Sequence, residues 1–105
     1  MDRGEIERRL SNWAAEKTLI KKLYIFGSRA RGTADSLSDL DIAIELVETD
    51  EEEDIVWIDN KGAWKKEISK IVPLEIQLEL YSGETSPTIQ SGLAHSSILV
   101  YEKST

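Results

Sequence analysis

The sequence predicts an α+β domain: a small mixed β-sheet with helices packed on one face and an open acidic face. Residues 40–46 and 71–81 alternate apolar and polar side chains with the two-residue period of a strand. Residues near 2–17 and 55–70 instead repeat apolar side chains at helical spacing. The polar positions of both alternating stretches are rich in acids, so helices can cover only one side of the sheet. A chain of 105 residues is expected to form a single domain spanning 1–105.

The first helix is predicted from Ile6, Leu10, Trp13 and Ala14, which share one helical face over roughly residues 2–17. KKLYIF, residues 21–26, reads as a first strand ending at Gly27, and TADSLS, 33–38, is rich in turn formers. In LDIAIEL, Leu40, Ile42, Ile44 and Leu46 fall on one face, with Asp41, Ala43 and Glu45 on the other, preceded by Asp39. VETDEEED, 47–54, holds six acids and reads as a solvated loop feeding a helix N-terminus, where carboxylates suit the dipole. Trp57, Trp64, Ile68 and Ile71 mark the helix at about 55–70, with Asp59, Asn60 and Gly62 as points where it can fray or restart. IVPLEIQLELY, 71–81, places Val72, Leu74, Ile76, Leu78 and Leu80 opposite Glu75, Gln77 and Glu79. Pro87 is placed to start a last helix reaching about His95, and SILVY, 97–101, reads as a closing strand.

Apolar residues at 40% and charged residues at 31% fit a folded globular chain. With no cysteine, disulfides and thiolate chemistry are excluded. A net charge of −7 argues against general nucleic-acid binding, which needs a basic face, and favours a basic protein partner. No secretory h-region or membrane-length apolar run is present, so a cytoplasmic location is expected.

The chemistry concentrates in FGSRARGTADSLSDLDIAIE, residues 26–45. Asp39 and Asp41 at i, i+2 project to one side of a strand with Cα atoms roughly 6.5–7 Å apart, close enough to lean onto one hard cation. A third carboxylate from a neighbouring strand would allow two ions, the arrangement suited to in-line phosphoryl displacement. Gly27 permits a tight turn at the end of the first strand, and Ser28 can cap it and bond a terminal phosphate oxygen. Arg29 and Arg31 add positive charge for phosphates. His95 reads as a helix-end or surface residue, and Tyr24, Tyr81 and Tyr101 as sheet aromatics.

Gly27-Ser28, ten intervening residues, then Asp39-x-Asp41 resembles the G-S-x(10)-D-x-D signature of the polymerase-beta-like nucleotidyltransferase superfamily. The whole stretch is similar to its minimal nucleotidyltransferase (MNT) family. That resemblance implies a nucleotidyltransferase fold, with Gly27, Ser28, Arg29 and Arg31 binding the nucleotide and Asp39 and Asp41 holding two Mg²⁺ ions. It implies a third metal-binding and catalytic carboxylate where the family usually carries aspartate; here the text is Leu74-Glu75-Ile76, making Glu75 the candidate and Glu79 the fallback. It further implies a toxin–antitoxin pairing with a helical HEPN-type partner, in which AMP from ATP, or the monophosphate of another nucleoside triphosphate, goes to a hydroxyl of that protein.

Two other readings stand beside this one. A nucleotidyltransferase-fold module with a degenerate third carboxylate could neutralise its partner by occlusion alone. An enzyme acting on a small hydroxylated molecule ranks last, because 105 residues leave no room for a second domain to bind it.

Overall fold

Helix α1, Arg3–Ala15, turns Ile6, Leu10, Trp13 and Ala14 inward, all four buried. The computed structural model describes residues 3–26, 39–81 and 97–103. Gly27, Ser28, Arg29, Arg31, the TADSLS turn and the expected helix from Pro87 to His95 lie outside them. After α1 come strands β1, Ile20–Phe26, and β2, Leu40–Leu46, then helix α2, Glu53–Ile71, and strands β3, Ile76–Leu80, and β4, Ser97–Glu102.

The strands form one mixed sheet in the order β3-β2-β1-β4. β1 is antiparallel to both β2 and β4, whereas β2 and β3 are parallel and joined through α2. A parallel pair requires such a crossover, and the long amphipathic segment between the two alternating stretches supplies it. Leu23, Ile25, Leu40, Ile42, Ile44, Leu46, Ile76 and Leu78 point from the sheet into one core with the inner faces of α1 and α2. Among the described residues the helices thus cover one side only, as the alternation predicts.

The helix layer is built around tryptophan. Trp64 meets Trp13 edge-on at 6.2 Å between ring centroids and Trp57 at 6.1 Å. The Trp13 indole N–H donates to Glu67 Oε1 at 2.9 Å, and Lys17 pairs with the same carboxylate, tying α1 to α2. These contacts explain why α2 runs unbroken through Asp59, Asn60 and Gly62, where the sequence allows fraying. Trp57 and Trp64 anchor the helix on both sides of Gly62, and the Asn60 amide donates back to the Val56 carbonyl at 2.8 Å.

The alternating stretch 71–81 is strand only from Ile76 onward. Ile71 still belongs to α2, and Val72 is the helix C-cap, its N–H bonded to the Ile68 carbonyl. Pro73 disfavours helical backbone at the residue before it, and that stops the helix. The Arg9 guanidinium donates to the Ile71 carbonyl at 2.8 Å, satisfying one of the carbonyls a helix end leaves open.

Candidate active site

β2 lies between β1 and β3, so its outward side chains are flanked on both sides. Phe26, the last residue of β1, is the register partner of Asp41, and Gln77 of β3 is the partner on the other side. The end of β1 and the two aspartates therefore lie at the same end of the sheet. Asp39 is exposed and Asp41 half-buried. The Gln77 amide donates to Asp39 Oδ2 at 3.3 Å, holding one carboxylate oxygen in place.

Glu75 is exposed and immediately precedes β3. Its carbonyl accepts the Leu40 N–H at 2.8 Å, fixing its backbone beside the entry of β2. Glu79 on β3, four residues after Glu75, is also exposed, with Ala43 as its register partner. Among the described residues no three His, Cys, Asp or Glu side chains gather closely enough to hold a metal ion. The structure thus brings Asp39, Asp41 and Gln77 together and keeps the Glu75 backbone next to them.

The middle of this face is less open than alternation alone suggests. Ala43 is fully buried although it points away from the helices. Tyr24 on β1 and Tyr81 just beyond β3 come within 5.9 Å over it, and only a small residue fits beneath the two rings. Burial raises the Tyr24 hydroxyl above its ordinary value, with Glu45, Tyr81 and Glu102 adding to that and Lys22 opposing it. Further along, Lys22 faces Glu45 in the register with β2 and pairs with Glu102 at 3.5 Å. The acidic face is therefore divided: two aspartates with a glutamine at one end, a tyrosine lid in the middle, and a mixed charge cluster at the other.

Glutamine at position 77 is the residue whose part the sequence did not reveal. It reads there as a gap between two possible ligands, whereas the parallel register makes it the neighbour of both aspartates. The signal was its place on the same strand face as Glu75 and Glu79; the register needed to use that signal is set by the crossover.

Residues 8–105 match the family described as "Polymerase beta, Nucleotidyltransferase". The chain belongs to that nucleotidyltransferase family. Two solved structures share the fold of this nucleotidyltransferase. One is a toxin–antitoxin crystal structure with AMP-PNP, 18% identical, with a TM-score of 0.62 over 94% of this chain and 73% of that chain. The other is a toxin–antitoxin MntA-HpeT mutant with two aspartate-to-glutamate changes, 16% identical, with a TM-score of 0.64 over 92% and 73%. At these identities the likeness is one of fold, and it is consistent with a minimal nucleotidyltransferase. No curated protein matches the chain significantly. Among the described residues no helix is long and apolar enough to cross a membrane.

Proposed function

We propose that this nucleotidyltransferase transfers a nucleoside monophosphate, AMP from ATP, to a hydroxyl of a protein partner, as the antitoxin of a HEPN-type toxin–antitoxin pair. The observation that carries the reading is the Asp39–Asp41 pair at the entry of β2, bracketed by the end of β1 and by Gln77, in a chain of this family. The two fold neighbours, both toxin–antitoxin complexes and one with AMP-PNP, support the nucleotide and the partner.

The donor set fits Mg²⁺: two accessible carboxylates on one strand face supply hard oxygens, and one is steadied by an amide N–H. Asp39 and Asp41 would hold the ion, and Glu75 would complete a second position. The ion's part is to offset triphosphate charge. Gly27 and Ser28 would cradle the terminal phosphates, and Arg29 and Arg31 would offset further charge. In the transfer, the acceptor oxygen forms a bond to the α-phosphorus as the α–β phosphoanhydride bond breaks. Pyrophosphate leaves, and the hydroxyl proton passes to a carboxylate, for which Glu75 is the candidate.

Calorimetric titration of Mg·ATP tests the site. Binding by wild type that Asp39→Asn/Asp41→Asn loses, followed by a gain of one AMP mass on the co-purified partner, is the expected result. Mg·ATP binding by wild type that the double mutant keeps unchanged would place the nucleotide elsewhere and overturn the assignment.

A second reading is favoured by one observation: among the described residues no third carboxylate joins the pair, and the register position beside Asp41 is a glutamine. In that reading the chain binds its partner and silences it by occlusion. It predicts that the double mutant still neutralises the partner, whereas transfer predicts that it binds without neutralising.

A further inference from the structure

α2 shows solvent a stripe that its own fold does not use. Ile58 is 74% exposed and Ile55 48% exposed, and Gly62, Lys66 and Ser69 continue the same line at three- and four-residue spacing. A Cβ on Gly62 would meet nothing within 4 Å. Glycine inside an exposed helix costs about 1 kcal/mol relative to alanine, and no intramolecular contact requires it here. Gly62 is also the midpoint of the helix Glu53–Ile71.

The outward charges lean to opposite ends of the helix. Asp54 and Asp59 precede Gly62, Lys65, Lys66 and Lys70 follow it, and Lys61 beside the midpoint lies over the Trp57 ring. The helix dipole accounts for the acids of the first turn and for Lys70 in the last, but its influence fades within a turn. Asp59, Lys65 and Lys66 stand too far from the ends for that explanation. None of these three forms a salt bridge among the described residues. A helix arranged for its own stability would set opposite charges four residues apart, and these are not so placed.

We propose that this face is a contact between two copies of the chain, with α2 of the second copy lying antiparallel across it near Gly62. A twofold axis at the midpoint sets the acidic half of each helix against the basic half of the other, an isologous arrangement. Asp59 faces the partner's Lys66, Ile58 lies along the aliphatic stem of the partner's Lys65, and both pairs recur by symmetry. Gly62 lets the backbones close to about 8 Å, the short end of helix-packing distances. The stripe lies on the opposite side of the molecule from Asp39 and Asp41, so both candidate sites stay accessible. A single helix pair is a small contact, of the class below about 1,200 Å² that gives weak association.

Sedimentation analysis from roughly 10 μM to 1 mM protein, at low and high salt, tests this. Expected is a monomer–dimer equilibrium weakened at least about tenfold by high salt. Gly62→Gln should abolish it while the melting temperature stays the same or rises, because the added side chain has open space. Asp59→Lys and Lys66→Asp should each weaken it about tenfold, and Asp59→Lys/Lys66→Asp together should restore it to within about threefold of wild type. A monomer throughout the range would overturn the proposal, as would a dimer indifferent to Gly62→Gln. So would a double swap that fails to restore association: a surface built for a different, basic protein loses its partner with Asp59→Lys and does not regain it on Lys66→Asp.

Discussion

The two sides of β2 differ sharply in burial and in charge. Leu40, Ile42, Ile44 and Leu46 are buried against the helix layer, while Asp41, Ala43 and Glu45, one residue out of step, carry charge, a tyrosine-covered gap and charge again. The difference teaches that one strand can divide its tasks by parity. The inner side supplies folding energy through burial, and the outer side can hold carboxylates because it contributes little to that burial. Substitutions on the two sides should therefore separate stability from chemistry.

The largest break is expected in the helix layer against which the inner side packs. Trp64→Ala removes the ring that Trp13 and Trp57 both pack against and should cost about 3–5 kcal/mol, read as a lowered urea midpoint. Next comes the far end of the outer side: Asp41→Asn should reduce nucleotidyl transfer by at least about 100-fold, the scale of losing one placed charge-stabilising group. Its melting temperature should stay within a few degrees of wild type. Unfolding in that mutant would show that parity does not divide the tasks here.

Ala43→Leu sharpens the comparison, because it tests the one outer position that is packed. Four side-chain atoms of leucine cannot fit beneath the Tyr24–Tyr81 pair, and overpacking there should cost about 1–3 kcal/mol. A neutral result would mean that the rings separate easily and the outer side is open along its whole length.

The alternation of 40–46, the helical stripe of α1 and the dependence of α2 on its tryptophans were legible because burial imposes a period on the residues that undergo it. Three features were not. Period cannot distinguish the end of a helix from the start of a strand when Ile71, Val72, Leu74 and Ile76 are all apolar, so β3 begins five residues later than the alternation does. Register between parallel strands is set by the crossover, which hid the adjacency of Gln77 to both aspartates. The cover over Ala43 depends on Tyr24 and Tyr81, which are distant in sequence and meet only across three strands. Of the candidate site, the Asp39–Asp41 pair was legible from spacing alone, and Gln77's hydrogen bond to Asp39 was not.

The smallest effect concerns neither side of β2 but the edge of the helix layer. Hydrogen bonds from Arg8 and Arg9 hold the half-exposed Glu5 carboxyl down at about 2, against the usual 4.5. A lowered folded-state value means that this contribution is fully present above pH 4.5 and is lost as pH falls from there toward 2. Glu5→Gln should therefore melt slightly below wild type at neutral pH and converge with it near pH 2. Persistence of the difference at pH 2 would assign it to packing rather than charge.

All three tryptophans of the chain belong to the helix layer, and none stands on the outer side of the sheet. Their fluorescence is consequently a selective optical reporter. Emission should follow the docking of α1 onto α2 during unfolding, and the edge-to-face indoles should give a near-ultraviolet dichroism signal that vanishes with it. A nucleotide arriving at Asp39 and Asp41 is on the far side of the sheet from every indole and should leave that emission unchanged. A binding assay read by intrinsic tryptophan light would miss the event, whereas tyrosine emission from Tyr24 and Tyr81, on the same face as the aspartates, would be positioned to register it.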